Sequence, residues 1–244
     1  MENNIKLKIE DLHIRYNLAS ENVDNLKEFV IKILKRQLMF QEFMALQGVN
    51  LEVKAGESWG IIGRNGAGKS TFLKAACGIL KPYKGSIQIN GRISPLIELG
   101  AGFDGRLTAK ENIFLNGAVL GYSEEFIKEH YDEIVEFSEV DKFLNVPIKN
   151  FSSGMRAKLG FAIATLVKPD ILIVDEVLAV GDFKFKEKCE KKMQELLSNG
   201  TTLLFVSHSI DQVKRLCKNA MWLDHGEVKM KGEAGPVCDA YVKS

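Results

Sequence analysis

A glycine-rich segment, GRNGAGKS at positions 63–70, has the residue types and spacing of a phosphate-binding loop. It fits the pattern G-x-x-x-x-G-K-[ST] at every fixed position, between a predicted strand and a predicted helix. Glycines let successive backbone N–H groups face a phosphate, the Lys69 ammonium neutralises the outer phosphate oxygens, and the Ser70 hydroxyl suits Mg²⁺. We therefore predict a nucleotide-phosphate site, rather than a plain glycine-rich turn, formed by Gly63, Asn65, Gly66, Gly68, Lys69, Ser70 and Thr71.

Two adjacent carboxylates follow a short apolar run later in the chain. Residues Ile171–Val174 are continuously apolar, which is typical of a buried parallel strand, and Asp175 and Glu176 come directly after them. Because successive strand residues point to opposite sides, the two carboxylates are expected to do different work. Asp175 suits the Mg²⁺ shell, usually through water, whereas Glu176 is suited to orient or deprotonate a water that attacks the γ-phosphate.

A histidine occupies the corresponding place after a second apolar run. His208 follows residues Thr202–Val206, which have the same buried-strand pattern. A lone histidine more often has a structural role than a catalytic one. In an α/β sheet, however, the region just past a buried strand is the carboxyl edge, where ligands bind. We therefore predict that His208 hydrogen-bonds the γ-phosphate.

A second segment with anion-binding character is FSSGM, residues Phe151–Met155. Ser152 and the small residues after it begin a predicted helix, and such a helix start can bind an anion. The same segment also fits a serine cap on an ordinary helix. Since one nucleotide needs only one loop of the first kind, a second phosphate-binding helix start in the chain requires an explanation.

Helices and strands alternate around these residues. Residues 49–53 alternate apolar and polar side chains, turn at 54–56, and continue into 58–62, which predicts two adjacent strands. Helical spacing is found in three segments, Ser70–Ile79, Glu124–Phe143 and Gly154–Leu166. Together with the two apolar runs, this order indicates an α/β core with a mostly helical insert at roughly residues 96–160.

The composition limits the partners to be expected. The 244 residues carry a formal net charge of +1, which gives no reason to expect a nucleic acid. The four cysteines form no C-x-x-C pair, which argues against zinc or a disulfide framework and favours a reducing compartment. There is no apolar run of about 18 residues and no apolar signal core at the N-terminus. We therefore expect a membrane role only through a separate partner.

Residues 20–43 contain a basic amphipathic pattern, with apolar residues on one predicted helical face and lysines on the other. This face either packs on the core of the chain itself or contacts a membrane partner or the lipid surface. The sequence leaves both interpretations open. The apolar face consists of Val23, Leu26, Val30, Ile33 and Leu34.

The four motifs, in their order along the chain, resemble those of the ATP-binding cassette (ABC) family. The usual form of the FSSGM segment in that family is L-S-G-G-Q. The resemblance implies a P-loop NTPase core with a helical subdomain and an antiparallel β subdomain, and ATP with Mg²⁺ as ligands. In that family two cassettes pair head to tail, with each ATP between the first loop of one and the signature segment of the other. Ser152 and Gly154 would then contact the γ-phosphate held by the opposite subunit, so that ATP joins a homodimer and hydrolysis releases it.

Further roles are implied by the same resemblance. Tyr16 is similar to the aromatic residue that stacks on adenine, with Phe40 or Phe43 as competitors. Asp182 resembles the acid of the loop through which the subunits communicate. Glu98 lies where most members have a glutamine, and its carboxylate could also ligate Mg²⁺. Ser153 and Met155 likewise replace the usual glycine and glutamine of the signature, which bears on the turnover rate.

The replacements at Glu98, Ser153 and Met155, together with the segment at residues 20–43, resemble features of the ATPase subunits of bacterial polysaccharide exporters. The resemblance spans essentially the whole chain, which we interpret as a single nucleotide-binding domain, residues 1–244. It implies an integral membrane permease dimer that carries undecaprenyl-linked polysaccharide, with this chain peripheral on the cytoplasmic face of the bacterial inner membrane. Some members carry a C-terminal carbohydrate-binding domain. This chain ends too soon for one, so either the exporter does not use one or the chain is truncated.

O-antigen-like glycan is the expected cargo, and teichoic acid is the alternative. A soluble ABC ATPase acting on nucleic acid would instead call for tandem cassettes, a long coiled-coil insert or a basic tail. A P-loop kinase would leave the segment at Ser152 without a purpose. Import of a small solute is a further alternative within transport.

Overall fold

The computed structural model describes residues 4–19, 40–96, 102–175 and 182–244. The strands in these ranges are β1 Ile5–Ala19, β2 Phe40–Lys54, β3 Ser58–Ile62, β4 Lys84–Ile89, β5 Ile93–Leu96, β6 Ile171–Val174, β7 Thr202–Val206, β8 Asn219–Asp224 and β9 Glu227–Glu233. The α-helices are α1 Lys69–Ala76, α2 Ala109–Val119, α3 Glu124–Glu129, α4 Tyr131–Ser138, α5 Ser153–Ala164, α6 Phe183–Ser198, α7 Ile210–Leu216 and α8 Ala234–Val242. Two short 3-10 helices, Asp141–Phe143 and Ile148–Asn150, precede α5.

A six-stranded sheet forms the centre of the protein, with the strand order β5-β6-β7-β3-β8-β9. Its pairs are parallel except for the antiparallel hairpin of β8 and β9. The strands predicted at 171–174 and 202–206 have these bounds in the structure, and every residue of both is buried. Their continuous apolar runs follow from burial on both faces: Ile171 and Ile173 pack with α1, whereas Leu172 and Val174 pack with α5 and α6.

A separate three-stranded antiparallel sheet, with the order β2-β1-β4, covers the α1 side of the central sheet. The two strands predicted at 49–53 and 58–62 are both present, but they belong to different sheets. The turn between them, in which the Glu57 N–H donates to the Lys54 carbonyl at 3.1 Å, leads the chain from one sheet to the other.

Helices α2 to α5 lie between β5 and β6 in the chain and have a core of their own. The helix predicted over Glu124–Phe143 is wrong as one element, because it divides into α3, α4 and a 3-10 turn. Glu139 ends α4 in the left-handed conformation, with φ 58° and ψ 34°. The helix predicted over Ser70–Ile79 ends earlier, at Ala76, since Gly78 turns the chain with φ 75°.

The predicted fold class, an α/β P-loop core with helical and antiparallel β parts, is therefore confirmed. Residues 20–39, including the predicted amphipathic face, lie outside the described residues. The last residues of that segment, from Phe40 on, begin β2. Across the described ranges, none of the helices has the length and apolarity that a membrane crossing requires.

Candidate nucleotide-binding site

Three neighbouring parallel strands bring the predicted chemical groups to one edge of the central sheet. The glycine loop follows β3, His208 lies two residues after β7, and Asp175 follows β6. Ile61 pairs with Val206, and Phe205 pairs with Val174, so the three strands end at the same level. Since adjacent strands are about 4.8 Å apart, the β3 and β6 ends are separated by roughly 10 Å.

Two positions in the loop require glycine. Gly63 has φ 152°, and a Cβ atom there would lie 2.2 Å from the Leu223 carbonyl oxygen. Gly68 has φ 102°, and its Cβ would lie 2.8 Å from the Ala45 carbonyl oxygen. The loop is thus pressed against β8 and β2 by main-chain contacts that leave no room for a side chain.

The lysine of the loop is held inside it. Lys69 is 6% exposed, and its ammonium donates to the carbonyls of Gly63 at 2.8 Å and Arg64 at 3.0 Å. Lys69 also begins α1, and Gly68 at the N-cap offers no side chain to cap the first N–H groups. A helix start with such N–H groups, next to a buried ammonium, is suited to bind phosphate oxygens.

A cleft of about 280 Å³ opens over this loop. Its lining brings together most of the residues predicted to bind the nucleotide, and it includes both aromatic and polar side chains. The lining residues are Tyr16, Phe43, Ala45, Asn65, Gly66, Gly68, Lys69, Ser70, Thr71 and His208. Gly63 lies at the base of the loop and is not among them.

The two aromatic residues of the cleft lining form a cross-strand pair. Tyr16 of β1 is the direct register partner of Phe43 of β2, so both side chains lie on the same face of the antiparallel sheet. Tyr16 packs partly against the core, whereas Phe43 is 50% exposed. The sequence left the adenine-stacking residue open, and the structure places both of these side chains in the cleft. The side chain of Phe40, the third candidate, lies outside the description.

His208 is positioned by the short turn between β7 and α7. The buried Ser207 hydroxyl accepts from the Ser209 N–H at 3.0 Å and donates to Gln212 Oε1 at 3.1 Å. Ser209 in turn caps α7 by accepting from the Gln212 N–H. His208 itself is exposed and lines the cleft. No pattern in the sequence indicated this supporting role of Ser207 and Gln212.

The carboxylates predicted for catalysis and metal binding are only partly described. Asp175 is half-buried, and its N–H lies 3.5 Å from the Leu96 carbonyl oxygen at the end of β5. It is not among the residues lining the cleft. Glu176 and Glu98 lie outside the described residues, so their predicted roles stay predictions.

The signature segment does not line the cleft of its own chain. Ser152 is the N-cap of α5, and its hydroxyl accepts from the Met155 N–H at 3.1 Å. Ser152 and Ser153 are exposed and Gly154 is half-buried. Among the described residues, a Cβ at Gly154 would meet only the Ser152 hydroxyl, at 3.8 Å. The helix cap is therefore real, and the start of α5 also remains accessible to another molecule.

Asp182 lies at the start of α6, away from the cleft lining. Its Oδ1 accepts from the Phe185 N–H at 2.9 Å, and its Oδ2 lies 2.9 Å from the Lys158 ammonium. The hydrogen bond from Lys158 has the largest effect on the pKa of the Asp182 carboxyl, and the bond from the Phe185 N–H has the next largest. Both lower this pKa below its usual value.

One support of the loop was not identified from the sequence. Gly226, in the β8–β9 turn, donates its N–H to the Ala67 carbonyl at 3.1 Å and accepts from the Gln47 N–H at 2.9 Å. It thereby joins the loop to β2. A glycine between two strands signals a turn, but no sequence pattern shows which distant segment that turn touches.

Comparison with known proteins identifies the family. The sequence profile of the ABC transporter family matches residues 46–179. The O-antigen export system ATP-binding protein RfbB of Klebsiella pneumoniae is 43% identical over 82% of each chain. The teichoic acids export ATP-binding protein TagH of Bacillus anthracis is 41% identical over 98% of this chain, which spans 42% of that protein. A dimeric ATP-binding cassette in a post-hydrolysis state, bound to ADP and phosphate, has a TM-score of 0.75 at 23% identity, covering 93% of this chain and 98% of its own. The chain therefore belongs to the ABC transporter family.

Proposed function

We propose that the protein is the ATP-hydrolysing motor subunit of an exporter that moves undecaprenyl-linked surface polysaccharide, O-antigen-like, across the bacterial cytoplasmic membrane. The observation that carries the ATPase part is the cleft in which the glycine loop, the buried Lys69 and His208 meet beside two aromatic side chains. The cargo rests on the similarity to RfbB, a protein of O-antigen export.

The cleft suits an adenine nucleotide from end to end. Tyr16 or Phe43 stacks on the adenine, and the loop with Lys69 surrounds the phosphates. Ser70 and Asp175 hold the accompanying Mg²⁺, with Glu98 as a further ligand, and hydroxyl and carboxylate oxygens are the donors this ion prefers. The ion supplies positive charge that screens the phosphate oxygens.

Hydrolysis needs a base and a group that recognises the γ-phosphate. Glu176 orients the attacking water and accepts its proton while the water oxygen bonds to the γ-phosphorus and the bond to the β-phosphate oxygen breaks. His208 hydrogen-bonds the γ-phosphate, a role supported by its place in the cleft lining. The products are ADP and inorganic phosphate.

The start of α5 acts on the nucleotide that another copy of the chain binds. Ser152 and Gly154 lie outside the cleft of their own chain yet are solvent-accessible, which supports binding to the γ-phosphate held by a partner cassette. ATP then joins a head-to-tail homodimer, and Asp182 belongs to the loop through which the two subunits communicate. Loss of the γ-phosphate removes this contact, so hydrolysis separates the subunits.

Transport follows from coupling this cycle to an integral membrane permease dimer that carries the lipid-linked polysaccharide. The cassette dimer is peripheral, on the cytoplasmic face of the membrane. Teichoic acid is the second candidate cargo, because TagH of Bacillus anthracis matches 98% of this chain whereas RfbB matches 82%. These two cargoes differ chemically, as glycan and polyol phosphate, so analysis of the accumulated polymer distinguishes them.

The test compares cells carrying Lys69→Ala with cells carrying Lys81→Ala, an exposed lysine beyond the end of α1. Lys69→Ala is expected to abolish ATP binding, leave lipid-linked polymer on the cytoplasmic side and deplete the cell surface. Lys81→Ala should resemble wild type. Unchanged polymer inside and outside the Lys69→Ala cells would refute the export function.

Purified protein gives a second measurement that separates an ABC motor from a kinase. Glu176→Gln is expected to bind ATP and form a long-lived dimer, seen by light scattering after gel filtration. Normal hydrolysis by this variant would remove Glu176 from the catalytic role, and a monomer at saturating ATP would contradict the homodimer.

A further inference from the structure

Lys158 joins three elements that are separate in the chain. It lies on α5, six residues after Ser152, and its ammonium is 2.5 Å from Glu139 Oε2 and 2.9 Å from Asp182 Oδ2. The side chain is only 14% exposed, and the ammonium lies 4.8 Å from the centre of the Phe185 ring. One half-buried cation thus connects the end of α4 and the start of α6 to the signature helix.

Glu139, which contacts Lys158 from the end of α4, has an uncommon backbone conformation. Glu139 ends the helix with φ 58° and ψ 34°, a region in which glycine or asparagine is more usual. A glycine there would relieve the backbone but would remove the carboxylate that contacts Lys158. The side chain therefore has a use that outweighs the backbone preference.

Asp182, which contacts Lys158 from the start of α6, makes a different contact with each of its two carboxylate oxygens. Asp182 Oδ1 caps α6 through the Phe185 N–H, and Oδ2 contacts Lys158. Residue 182 directly follows the segment that begins with Glu176. Whatever displaces Lys158 therefore acts on Asp182 and the first turn of α6, which come directly after the segment that contains Glu176 in the sequence.

A second lysine fastens the same helices without reaching that loop. Lys188 of α6 donates to the carbonyls of Phe137 at 2.9 Å and Glu136 at 3.2 Å, at the end of α4. The Phe137 ring also meets Phe185 edge-on at 5.8 Å. Packing and Lys188 therefore keep α4 and α6 together, and the specific contribution of Lys158 is the link from α5 to Asp182.

We propose that Lys158 is a positioning residue, which couples contact of Ser152 with the partner's nucleotide to the placement of Glu176 in its own subunit. This inference rests on the proposed function. Ser152 begins the helix that carries Lys158, and Asp182 follows the segment that contains Glu176. Binding of a γ-phosphate at the start of α5 therefore reaches the opposite active site through one ion pair. Without Lys158, ATP binding and dimer formation persist, but hydrolysis slows.

The test compares Lys158→Met, which keeps the apolar stem, with Lys158→Arg, which keeps the charge. Lys192→Met is the matched control, since Lys192 is 20% exposed and its nearest carboxylates lie 3.9 Å away. Lys158→Met is expected to lower kcat for ATP at least about fivefold, as a coupling effect, with KM unchanged. Lys158→Arg should recover most of kcat, and Lys192→Met should match wild type. In a Glu176→Gln background, Lys158→Met should still form the ATP-dependent dimer.

Three results would overturn the coupling role: an unchanged kcat in Lys158→Met, a raised KM with the lower kcat, or no recovery in Lys158→Arg. If Lys158→Met fails to fold, Glu139→Gln removes one contact at a half-exposed carboxylate, and an unchanged kcat there has the same consequence. Wild type and Lys69→Ala are measured alongside. Absence of Lys69-dependent hydrolysis in wild type would instead refute the proposed function itself.

Discussion

Replacing Gly226 with alanine tests whether the β8–β9 turn supports the phosphate loop. Gly226 has φ 82°, and a Cβ atom there would lie 2.6 Å from the Ala45 carbonyl oxygen and 3.1 Å from its carbon. Both are main-chain atoms of β2, which no side-chain rotation can move away. The substitution must therefore shift either the turn or the strand. Either shift disturbs the hydrogen bond from the Gly226 N–H to the Ala67 carbonyl.

The magnitude can be separated into a backbone part and a contact part by a matched glycine. Gly121 also has φ 82°, but a Cβ there would meet no atom of the described ranges within 4 Å. Alanine in this left-handed region costs about 1–2 kcal/mol at either position. Only Gly226→Ala adds the close contact, for which overpacking typically costs about 1–3 kcal/mol. We expect Gly226→Ala to lower the free energy of unfolding by that further amount relative to Gly121→Ala.

Urea denaturation of both variants measures this difference, and titration with ATP measures its effect on the site. Loss of one net hydrogen bond to the loop, about 1 kcal/mol, corresponds to roughly fivefold weaker ATP binding. Gly121→Ala should bind ATP as wild type does. Equal stability losses in the two variants, or unchanged ATP binding in Gly226→Ala, would refute the argument that this turn holds the loop in place.

Two further predictions concern stability away from the cleft. Phe161 is buried between two other phenylalanine rings, so Phe161→Ala should lower the free energy of unfolding, measured in urea, by about 3–5 kcal/mol. The control Phe183→Ala, at a side chain that is 74% exposed, should lower it by at most about 0.5 kcal/mol. A loss below about 3 kcal/mol in Phe161→Ala would contradict this packing. Hydrogen bonds from Arg106, first from its side chain and then from its N–H, lower the pKa of Asp104 to about 2 from 3.8. A lowered folded-state pKa stabilises the protein above pH 4 and loses that effect as pH falls through 2. The stability difference between wild type and Asp104→Asn should therefore shrink over pH 4 to 2, and a difference independent of pH would be inconsistent with this pair.

The sequence was most informative where a single segment determines its own surroundings. The run Ile171–Val174 is apolar at every position because the strand is buried on both faces, so its bounds could be read directly. The glycine pattern predicted a loop that curls around phosphate, and the close contacts at Gly63 and Gly68 explain why those two glycines are required.

The sequence was least informative where a contact joins distant segments. Gly226 lies 159 positions beyond Ala67, and nothing in either segment indicates their hydrogen bond. The same holds for Lys158 and Asp182, which could be interpreted only as a helix surface residue and an acid after a loop. The break at Glu139 was missed for a different reason, since glutamate is a good helix former and the neighbouring sequence marks neither its left-handed conformation nor its contact with Lys158 of α5.

The contacts around the two halves of the proposed site differ in kind. The phosphate loop is held by main-chain atoms, as in the hydrogen bond from the Gly226 N–H to the Ala67 carbonyl, and this bond is lost if the β8–β9 turn moves away from the loop. Helix α5 is joined to its surroundings mainly through side chains, including Lys158 and the Ser94 hydroxyl, which donates to the last carbonyl of the helix at 3.1 Å. Side-chain contacts can re-form at a new position after a small rotation. Any structural response to the γ-phosphate should therefore be concentrated in α5 and at its contact with α6, while the loop that holds the nucleotide stays fixed.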